Sequence, residues 1–371
     1  MSRLDDLGVR SIINAAGAYT MYGGSRLAPG VREAMGEAAH TFVELERLQE
    51  RVGARIAELT GNEACFIASG AAAGIAIAIA ACVAGTDPAA IDAFPLRGER
   101  EVVVQRSQRN GYDYSARMTG VCMVEIGIDR PPARDELIAA IGPQTAAVLY
   151  FAGGYFADGA LPLPEVVAIA HAAGVPVVVD AAAQIPPVLN LHRFTVDEGA
   201  DLAVFSGGKA LRGPQSTGLV LGRAALIAAC IANSSPRHSI GRPMKVGKEE
   251  LLGIVTAVEW AVAEDGPANW RACDAIVRQW LAGLADVPGL IVERREKGVI
   301  HEPLPQVFIS VGAGAPARDV FLASLLAGSP GIATRQSGDE WIALNPQFVE
   351  PAEAAAVVTR IREEVAALSG R

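Results

Sequence analysis

Two short apolar segments, each followed by a polar residue, constrain the fold most strongly. Residues 176–179 lead directly into Asp180, and residues 201–205 lead into Ser206-Gly207-Gly208-Lys209. Short apolar runs bounded by turn residues predict buried strands. Because the carboxyl ends of parallel strands meet at one edge of a sheet, we expect the carboxylate of Asp180 and the amine of Lys209, 29 residues further on, to lie at a common edge.

A carboxylate and an amine in this arrangement suit pyridoxal phosphate. The ring nitrogen of that cofactor must stay protonated, and a buried acid holds the proton, so Asp180 is its predicted partner. Lys209 is the predicted Schiff-base lysine, and Gly207 and Gly208 let the backbone bring it close to the cofactor. Ser206 adds a hydroxyl within reach of the phosphate. Either residue alone would indicate an edge carboxylate or a solvated lysine, whereas the pair favours the cofactor.

A second candidate site precedes these strands. Residues 64–68 read as a short buried strand, and Ser69, Gly70 and Ala71 then open an apolar helix that runs to about Ala84. A turn of small residues at a helix N-terminus exposes backbone N–H groups and the positive end of the helix dipole, which suits a phosphate. The alternative is a close contact between a helix and the sheet. The position before the acid and the lysine favours the phosphate cradle.

Strands alternate with helices through most of the chain. This alternation predicts an α/β fold, with a mostly parallel seven-stranded sheet covered by helices on both faces, followed by a smaller C-terminal α+β domain. The glycine-rich first thirty residues predict an irregular arm. The predicted division is an N-terminal arm and helix (1–40), a large cofactor-binding domain (41–240), and a linking helix with the small domain (241–371). The strands are predicted at 64–68, 101–104, 121–125, 146–151, 175–180, 201–205, 217–222, 306–311 and 341–344.

Composition narrows the function classes. The 371 residues carry a net charge of −9 and no basic run, so nucleic acid is not an expected partner. The cysteines form no paired motif, which indicates free thiols in a reducing compartment, and the histidines lack the spacing of a metal site. No apolar leader or membrane-spanning run is recognisable, so a soluble, cytoplasmic protein without a metal is expected. The cysteines are Cys65, Cys82, Cys122, Cys230 and Cys273; the histidines are His40, His171, His192, His238 and His301.

Several motifs together resemble a known family. The chain resembles the selenocysteine synthase (L-seryl-tRNA selenium transferase)-like branch of the pyridoxal-phosphate-dependent enzymes of the aspartate aminotransferase fold, called fold type I. Within that branch it is most similar to the D-glucosaminate-6-phosphate ammonia-lyase group. The resemblance runs from about residue 8 to residue 360. It rests on Ile13-Asn14-Ala15-Ala16-Gly17, Ser69-Gly70-Ala71-Ala72-Ala73-Gly74, Asp180-Ala181-Ala182-Ala183, Ser206-Gly207-Gly208-Lys209-Ala210-Leu211 and Gly241-Arg242-Pro243-Met244-Lys245-Val246-Gly247-Lys248-Glu249.

The resemblance implies roles for single residues. Lys209, Asp180, Ser206 and the turn Ser69-Gly70-Ala71 receive the roles given above, and Ala182 joins the cofactor contacts. Gln108, or else Arg109, would stack on the cofactor ring, with Gln108 favoured. Arg335 would bind the substrate α-carboxylate, for which a planar guanidinium is suited, unless it is a surface arginine in a turn. Asn14 and Arg242 are further candidate substrate contacts.

The resemblance also implies a homodimer, or a multiple of dimers, with active sites shared between subunits. The segment that contains Arg242, Lys245 and Lys248 would approach the partner's cofactor phosphate or substrate. The alternative is a basic first turn of a solvated helix.

The chain departs from the family pattern at one segment. Residues 153–159, Gly-Gly-Tyr-Phe-Ala-Asp-Gly, stand where the lyase group carries histidines. The missing imidazoles remove acid–base groups or phosphate contacts, which opposes a phosphorylated sugar acid as substrate, and Tyr155 becomes the candidate proton donor. The acidic charge and the lack of a distinct N-terminal RNA-binding domain oppose a tRNA substrate.

The predicted reaction is an α,β-elimination that converts a β-hydroxy amino acid, resembling an aminosugar acid, into a 2-keto acid and ammonia. Amino acid racemisation and β-replacement begin in the same way and remain alternatives. A further alternative is a protein that binds pyridoxal phosphate without catalysis and acts as a partner of other proteins.

Overall fold

A computed structural model describes residues 3–128, 130–264, 266–312 and 315–369. Its contacts divide the chain into two compact units. The first comprises residues 27–263, and the second joins residues 1–26 to residues 264–371. The three-part division predicted from the sequence stays a prediction.

The helices and strands have the following bounds. The strands are β1 (Ile12–Asn14), β2 (Ala64–Ala68), β3 (Glu101–Gln105), β4 (Cys122–Ile126), β5 (Thr145–Phe151), β6 (Val177–Asp180), β7 (Leu202–Ser206), β8 (Gly218–Gly222), β9 (Ile291–Arg295), β10 (Gln306–Ser310), β11 (Gly331–Ala333), β12 (Arg335–Ser337) and β13 (Trp341–Leu344). The α-helices are α1 (Arg3–Asp6), α2 (Val31–Ala39), α3 (Leu45–Thr60), α4 (Ala71–Ala84), α5 (Pro88–Asp92), α6 (Tyr114–Arg117), α7 (Arg134–Ala140), α8 (Gly154–Ala157), α9 (Leu163–Ala172), α10 (Asn190–His192), α11 (Ala224–Ala232), α12 (Lys248–Ala263), α13 (Gly266–Leu284), α14 (Ala315–Ala327) and α15 (Pro351–Ser369).

The seven-stranded sheet of the first unit confirms the predicted α/β architecture. Its strand order is β2-β8-β7-β6-β5-β3-β4. The strands β3 to β7 run parallel to one another, and β8 runs antiparallel to both β7 and β2. The carboxyl ends of β2 to β7 therefore lie at one edge of the sheet, together with the amino end of β8.

The sheet is buried on both faces, as expected for parallel strands between two layers of helices. Side chains alternate along each strand, so Val177 and Val179 pack into one core and Val178 into the other. The second core includes Ile75, Ile77 and Ile79 of α4, and their side chains are almost fully buried. Apolar burial on both faces holds the strand ends in place.

The second unit contains a four-stranded antiparallel sheet and a small two-stranded one. The larger sheet has the order β12-β13-β10-β9, and β1 pairs in parallel with β11. The fully buried indole of Trp280 in α13 donates to the carbonyl of Ala354 in α15 at 3.1 Å. The sequence predicted an irregular arm for the first thirty residues. Residues 12–14 instead form a strand, because their backbone hydrogen-bonds to residues 331–333.

None of the described helices is both long and apolar enough to cross a membrane.

Two helical glycines predict opposite responses to alanine. A Cβ atom on Gly53 of α3 would lie 2.2 Å from the carbonyl oxygen of Cys65, whereas a Cβ atom on Gly36 of α2 would meet nothing within 4 Å. Gly36→Ala should stabilise the protein by about 0.5–1 kcal/mol through helix propensity. Gly53→Ala should destabilise it by about 1–3 kcal/mol, because α3 must move away from β2. Thermal melting followed by circular dichroism measures both variants. Similar melting temperatures for the two would contradict the packing described for α3.

Candidate active site

The predicted cofactor residues converge on one edge of the seven-stranded sheet. Asp180 ends β6 and Ser206 ends the adjacent β7. Asp180 lies beside Val204, so Ser206 extends two residues beyond it along the neighbouring strand. Ser69 follows β2, which lies two strands beyond β7 in the sheet. Lys209 follows β7 by a short turn. The edge therefore gathers an acid, an amine and a helix N-terminus.

Asp180 is a buried carboxyl group with 8 % of its surface exposed. Its Oδ1 accepts a hydrogen bond from the Ala182 N–H at 2.9 Å. Burial raises the pKa of Asp180, while that hydrogen bond and the positive charge of Lys209 act in the opposite direction. The two groups are therefore close enough to interact electrostatically. The pKa of Asp180 is raised despite these two contacts, so a further cationic partner would stabilise its charged form. The protonated ring nitrogen of pyridoxal phosphate is such a partner.

The turn that carries Lys209 is packed against the segment before β8. The N–H of Gly207 donates to the carbonyl of Thr217 at 2.8 Å. A Cβ atom on Gly208 would lie 2.3 Å from the Cα of Gln215, and one on Gly207 would lie 2.1 Å from Oγ1 of Thr217. These two glycines let the chain pack on itself and so fix the start of the lysine side chain. Their predicted role in bringing Lys209 close to the cofactor stays a prediction.

The candidate phosphate turn has the geometry of an open helix N-terminus. Gly70 has φ of +101°, and a Cβ atom there would meet nothing within 4 Å. Ala71 begins α4, whose first-turn N–H groups face the same edge as Asp180. Ser69 and Ser206 are half-buried there. Their contacts with a phosphate stay predictions.

Gln108 and Arg109, the candidates for ring stacking, are both engaged within the protein. Gln108 is fully buried, and its Oε1 accepts the backbone N–H of Phe151 at 3.1 Å. Arg109 forms ion pairs with Asp113 and Glu125. The stacking role stays a prediction for Gln108, whose side-chain oxygen is held by the end of β5.

Tyr155 lies in α8, but its side chain is outside the described part of the structure. Its role as proton donor stays a prediction. Arg242 and Lys245 are exposed, whereas Lys248 pairs with Glu249.

The substrate candidates Asn14 and Arg335 belong to the second unit. Asn14 holds its own turn, since its Nδ2 donates to the carbonyl of Gly17 at 3.0 Å and its Oδ1 accepts from the N–H of Ala16 at 3.0 Å. The guanidinium carbon of Arg335 lies 4.9 Å from the ring centroid of Tyr19, and its Nη1 lies 3.8 Å from Oε1 of Glu302. Sequence reasoning missed Tyr19 and Glu302, because no local pattern indicates which residues surround Arg335.

Within the described residues, no group of three or more histidine, cysteine, aspartate or glutamate side chains is arranged to hold a metal ion.

Comparison with known proteins agrees with this geometry. The sequence profile of the family described as aminotransferase class-V matches residues 34–235, more than half of the chain. A D-glucosaminate-6-phosphate ammonia lyase of Salmonella typhimurium is 35% identical, and the match covers 96% of this chain and 96% of that protein. The chain belongs to the aminotransferase class-V family. The resemblance stated from the motifs is thereby confirmed.

Two further relatives of this aminotransferase class-V protein have other activities in their names. A 5'-C-glycyluridine monooxygenase-decarboxylase of a Streptomyces species is 36% identical over 96% of this chain and 90% of the relative. An L-seryl-tRNA(Sec) selenium transferase of Moorella thermoacetica is 27% identical over 66% of this chain and 54% of that protein.

Solved structures confirm the fold type. The structure of a D-glucosaminate-6-phosphate ammonia-lyase matches with a TM-score of 0.85 and 30% identity, covering 100% of this chain and 99% of the other. The cysteine desulfurase CsdA of Escherichia coli has a TM-score of 0.57 at 18% identity, with 92% of each chain covered, and shows the shared fold alone.

The raised pKa of Asp180 predicts a pH-dependent effect of Asp180→Asn in protein freed of cofactor. The pKa of Asp180 in the folded protein lies above its ordinary value of 3.8. Folding stability therefore falls as the pH rises from 3.8 through the pKa of the folded protein. Asp180→Asn should therefore melt at a temperature equal to or higher than the unmodified protein at neutral pH. The gain should disappear below pH 3.8, where the carboxyl is protonated in both folded and unfolded protein.

Asp201→Asn is the matched control. Asp201 is also buried, but its carboxylate pairs with Arg223 at 2.9 Å and accepts the N–H of Val177 at 2.7 Å. Its replacement should lower the melting temperature at neutral pH, by about 1–3 kcal/mol in stability. Equal losses in both variants would contradict the description of Asp180.

Proposed function

We propose that this chain is a pyridoxal-phosphate-dependent ammonia-lyase that converts a β-hydroxy amino acid into a 2-keto acid and ammonia. The observation that carries the proposal is the buried Asp180 carboxyl beside the charge of Lys209, at the carboxyl ends of adjacent strands. The chain is an enzyme that uses pyridoxal phosphate, as its family and the 35% identical ammonia-lyase indicate. The substrate is proposed as an amino acid that resembles an aminosugar acid.

The site residues fit the cofactor. Asp180 would hold the ring nitrogen, and Lys209 would bind the cofactor covalently. The turn at Gly70 and the hydroxyl of Ser206 would hold its phosphate, with Ala182 and Gln108 as further contacts. When bound, pyridoxal phosphate supplies an electron sink for the electron pair that remains when the substrate loses its α-proton.

Lys209 is proposed as the base of the reaction. Its Nζ, half-buried at the sheet edge, takes the α-proton of the substrate and can return it. The fixed turn of Gly207 and Gly208 limits where that amine can move, which favours transfer at one face of the substrate.

Tyr155 is proposed as the acid that protonates the leaving β-hydroxyl. The protonated β-hydroxyl leaves as water, and the β-carbon then gains a proton. A second water replaces the nitrogen, which leaves as ammonia, and supplies the keto oxygen. The water that leaves is balanced by the water that enters, so the net change is loss of ammonia, without an oxidant or reductant.

Substrate binding is proposed to involve Arg335 on the α-carboxylate, with Asn14 and Arg242 as further contacts. The guanidinium of Arg335 suits a carboxylate because it can donate two parallel hydrogen bonds. Asn14 uses one Nδ2 hydrogen and one Oδ1 lone pair in its own turn, so its second N–H would make the substrate contact.

A homo-oligomer, either a dimer or a multiple of dimers with shared active sites, is proposed as the assembly, and the cytoplasm as its location. The side chain of Phe42, three residues before α3, is fully exposed. A cavity of about 790 Å³ close to it is lined by apolar side chains such as Phe66 and Met244 and by charged ones such as Arg237 and Lys245. A fully exposed aromatic side chain beside a cavity of this size supports association, because exposed apolar side chains mark contact surfaces. Nucleic acid and membrane are not proposed as partners.

A second candidate function is oxidative decarboxylation of an amino acid. The 5'-C-glycyluridine monooxygenase-decarboxylase covers the same 96% of the chain at 36% identity, so sequence similarity does not rank it below the lyase. It differs from elimination in consuming molecular oxygen and releasing carbon dioxide.

One incubation separates these reactions. The holoenzyme is incubated with a panel of β-hydroxy amino acids of both configurations, and ammonia, keto acid, oxygen and carbon dioxide are measured. Ammonia and keto acid in equal amounts, without oxygen uptake, are expected. Inversion of configuration without ammonia would indicate a racemase, and carbon dioxide with oxygen uptake would indicate a decarboxylase. No turnover and no change in visible absorbance would indicate a binding protein without catalysis.

Lys209→Ala should abolish ammonia release, by at least about 10³-fold, because it removes both the covalent link and the base. Lys297→Ala is the control, since Lys297 is an exposed lysine of the second unit. It should retain the visible absorbance and the activity of the unmodified enzyme. Full turnover by Lys209→Ala would contradict the proposed mechanism.

A further inference from the structure

The surroundings of Arg335 are those of a cation prepared for a carboxylate. One face of its guanidinium covers the Tyr19 ring, with 4.9 Å between the guanidinium carbon and the ring centroid. Its Nη1 lies 3.8 Å from Oε1 of Glu302, longer than the 2.7–2.9 Å of a charge-assisted hydrogen bond. The side chain is 18 % exposed. Glu302 therefore attracts the cation without occupying its N–H groups.

The guanidinium donates no hydrogen bond to any residue in the described part of the chain. None of its nitrogen atoms is fully buried without a partner, so its N–H groups stay open to solvent and to an incoming ligand. A planar carboxylate from a ligand would supply two acceptors to the free edge. The ring of Tyr19 cannot replace it, since it contacts the face and accepts no N–H in the plane.

Both neighbours of Arg335 are themselves held in place. The backbone N–H of Tyr19 donates to the carbonyl of Gly17 at 2.8 Å, and its ring packs edge-on against the ring of Tyr22, with 6.4 Å between the centroids. Glu302 accepts from the N–H of Ile300 at 2.9 Å and from Nε2 of Gln306 at 3.3 Å. The guanidinium thus lies against a fixed ring and a fixed carboxylate, which lowers the conformational entropy that ligand binding must remove.

We propose that Tyr19 is a positioning residue that orients Arg335 for the α-carboxylate of an amino acid substrate. The proposal rests on the function proposed above, in which Arg335 binds that carboxylate. It makes Tyr19, in the N-terminal segment, a determinant of the preference for acids over their uncharged amides. Tyr19 itself takes no part in bond making or breaking.

The test is a thermodynamic cycle that changes Tyr19 in the protein and the carboxylate in the ligand, and compares the four dissociation constants. Each enantiomer of serine and of serinamide is titrated into the holoenzyme, and the change in visible absorbance gives an apparent dissociation constant. The unmodified enzyme should bind serine more tightly than serinamide. Tyr19→Leu should reduce that preference by about 5- to 30-fold, the range expected for a partly desolvated cation–π contact. Tyr19→Phe keeps the ring face and should retain the preference within about twofold.

Several outcomes would overturn the proposal. The proposal fails if the unmodified enzyme does not prefer serine, or if Tyr19→Leu keeps the full preference. Weaker binding of serine and serinamide by the same factor in Tyr19→Leu would indicate a purely structural role. Loss of the preference in Tyr19→Phe would also contradict it, because the ring is still present. Circular dichroism and the absorbance before titration check that each variant folds and holds cofactor. Ammonia release is assayed separately, so failure of the lyase function is distinguishable from failure of this proposal.

Discussion

The common direction of the strands β2 to β7 is the constraint on which the rest depends. It brings the residues that follow these strands to one edge of the sheet, where side chains far apart in sequence meet. Asp180 and Lys209 are the pair that matters most, because the charge of the lysine acts on the pKa of the buried acid. Apolar packing on both faces of the sheet holds the strand ends that carry them.

Burial of Asp180 has a cost in the protein alone that the cofactor can offset. The carboxyl group has a raised pKa, since its hydrogen bond from Ala182 and the nearby Lys209 do not fully compensate for lost hydration. A protonated ring nitrogen would stabilise the charged form. The same residue is thus unfavourable for the fold without cofactor and favourable for cofactor binding, as expected where a structure is adapted to a site.

Local sequence predicted the seven strands of the first unit and, in the second unit, the strands β10 and β13 but not β1, β9, β11 or β12. Apolar runs that end in Asp180 and Ser206 indicated strands, because burial on both faces leaves a continuous hydrophobic signal. The pairing of β1 with β11 joins residues more than 300 positions apart and has no local signal. For the same reason Tyr19 and Glu302 were missed beside Arg335, although Arg335 itself was identified. The tight packing of Gly207 and Gly208 against residues 215–217 also depends on long-range contacts.

The central claim is that Lys209 forms the covalent link to the cofactor. The chain has four lysines, Lys209, Lys245, Lys248 and Lys297, so the linkage can be assigned without ambiguity. Borohydride reduction of the holoenzyme followed by proteolysis and mass spectrometry locates the modified lysine. The account predicts that the pyridoxyl group is found on Lys209 alone. Its presence on another lysine, or its absence from Lys209 in protein that shows the cofactor's absorbance, would contradict the account.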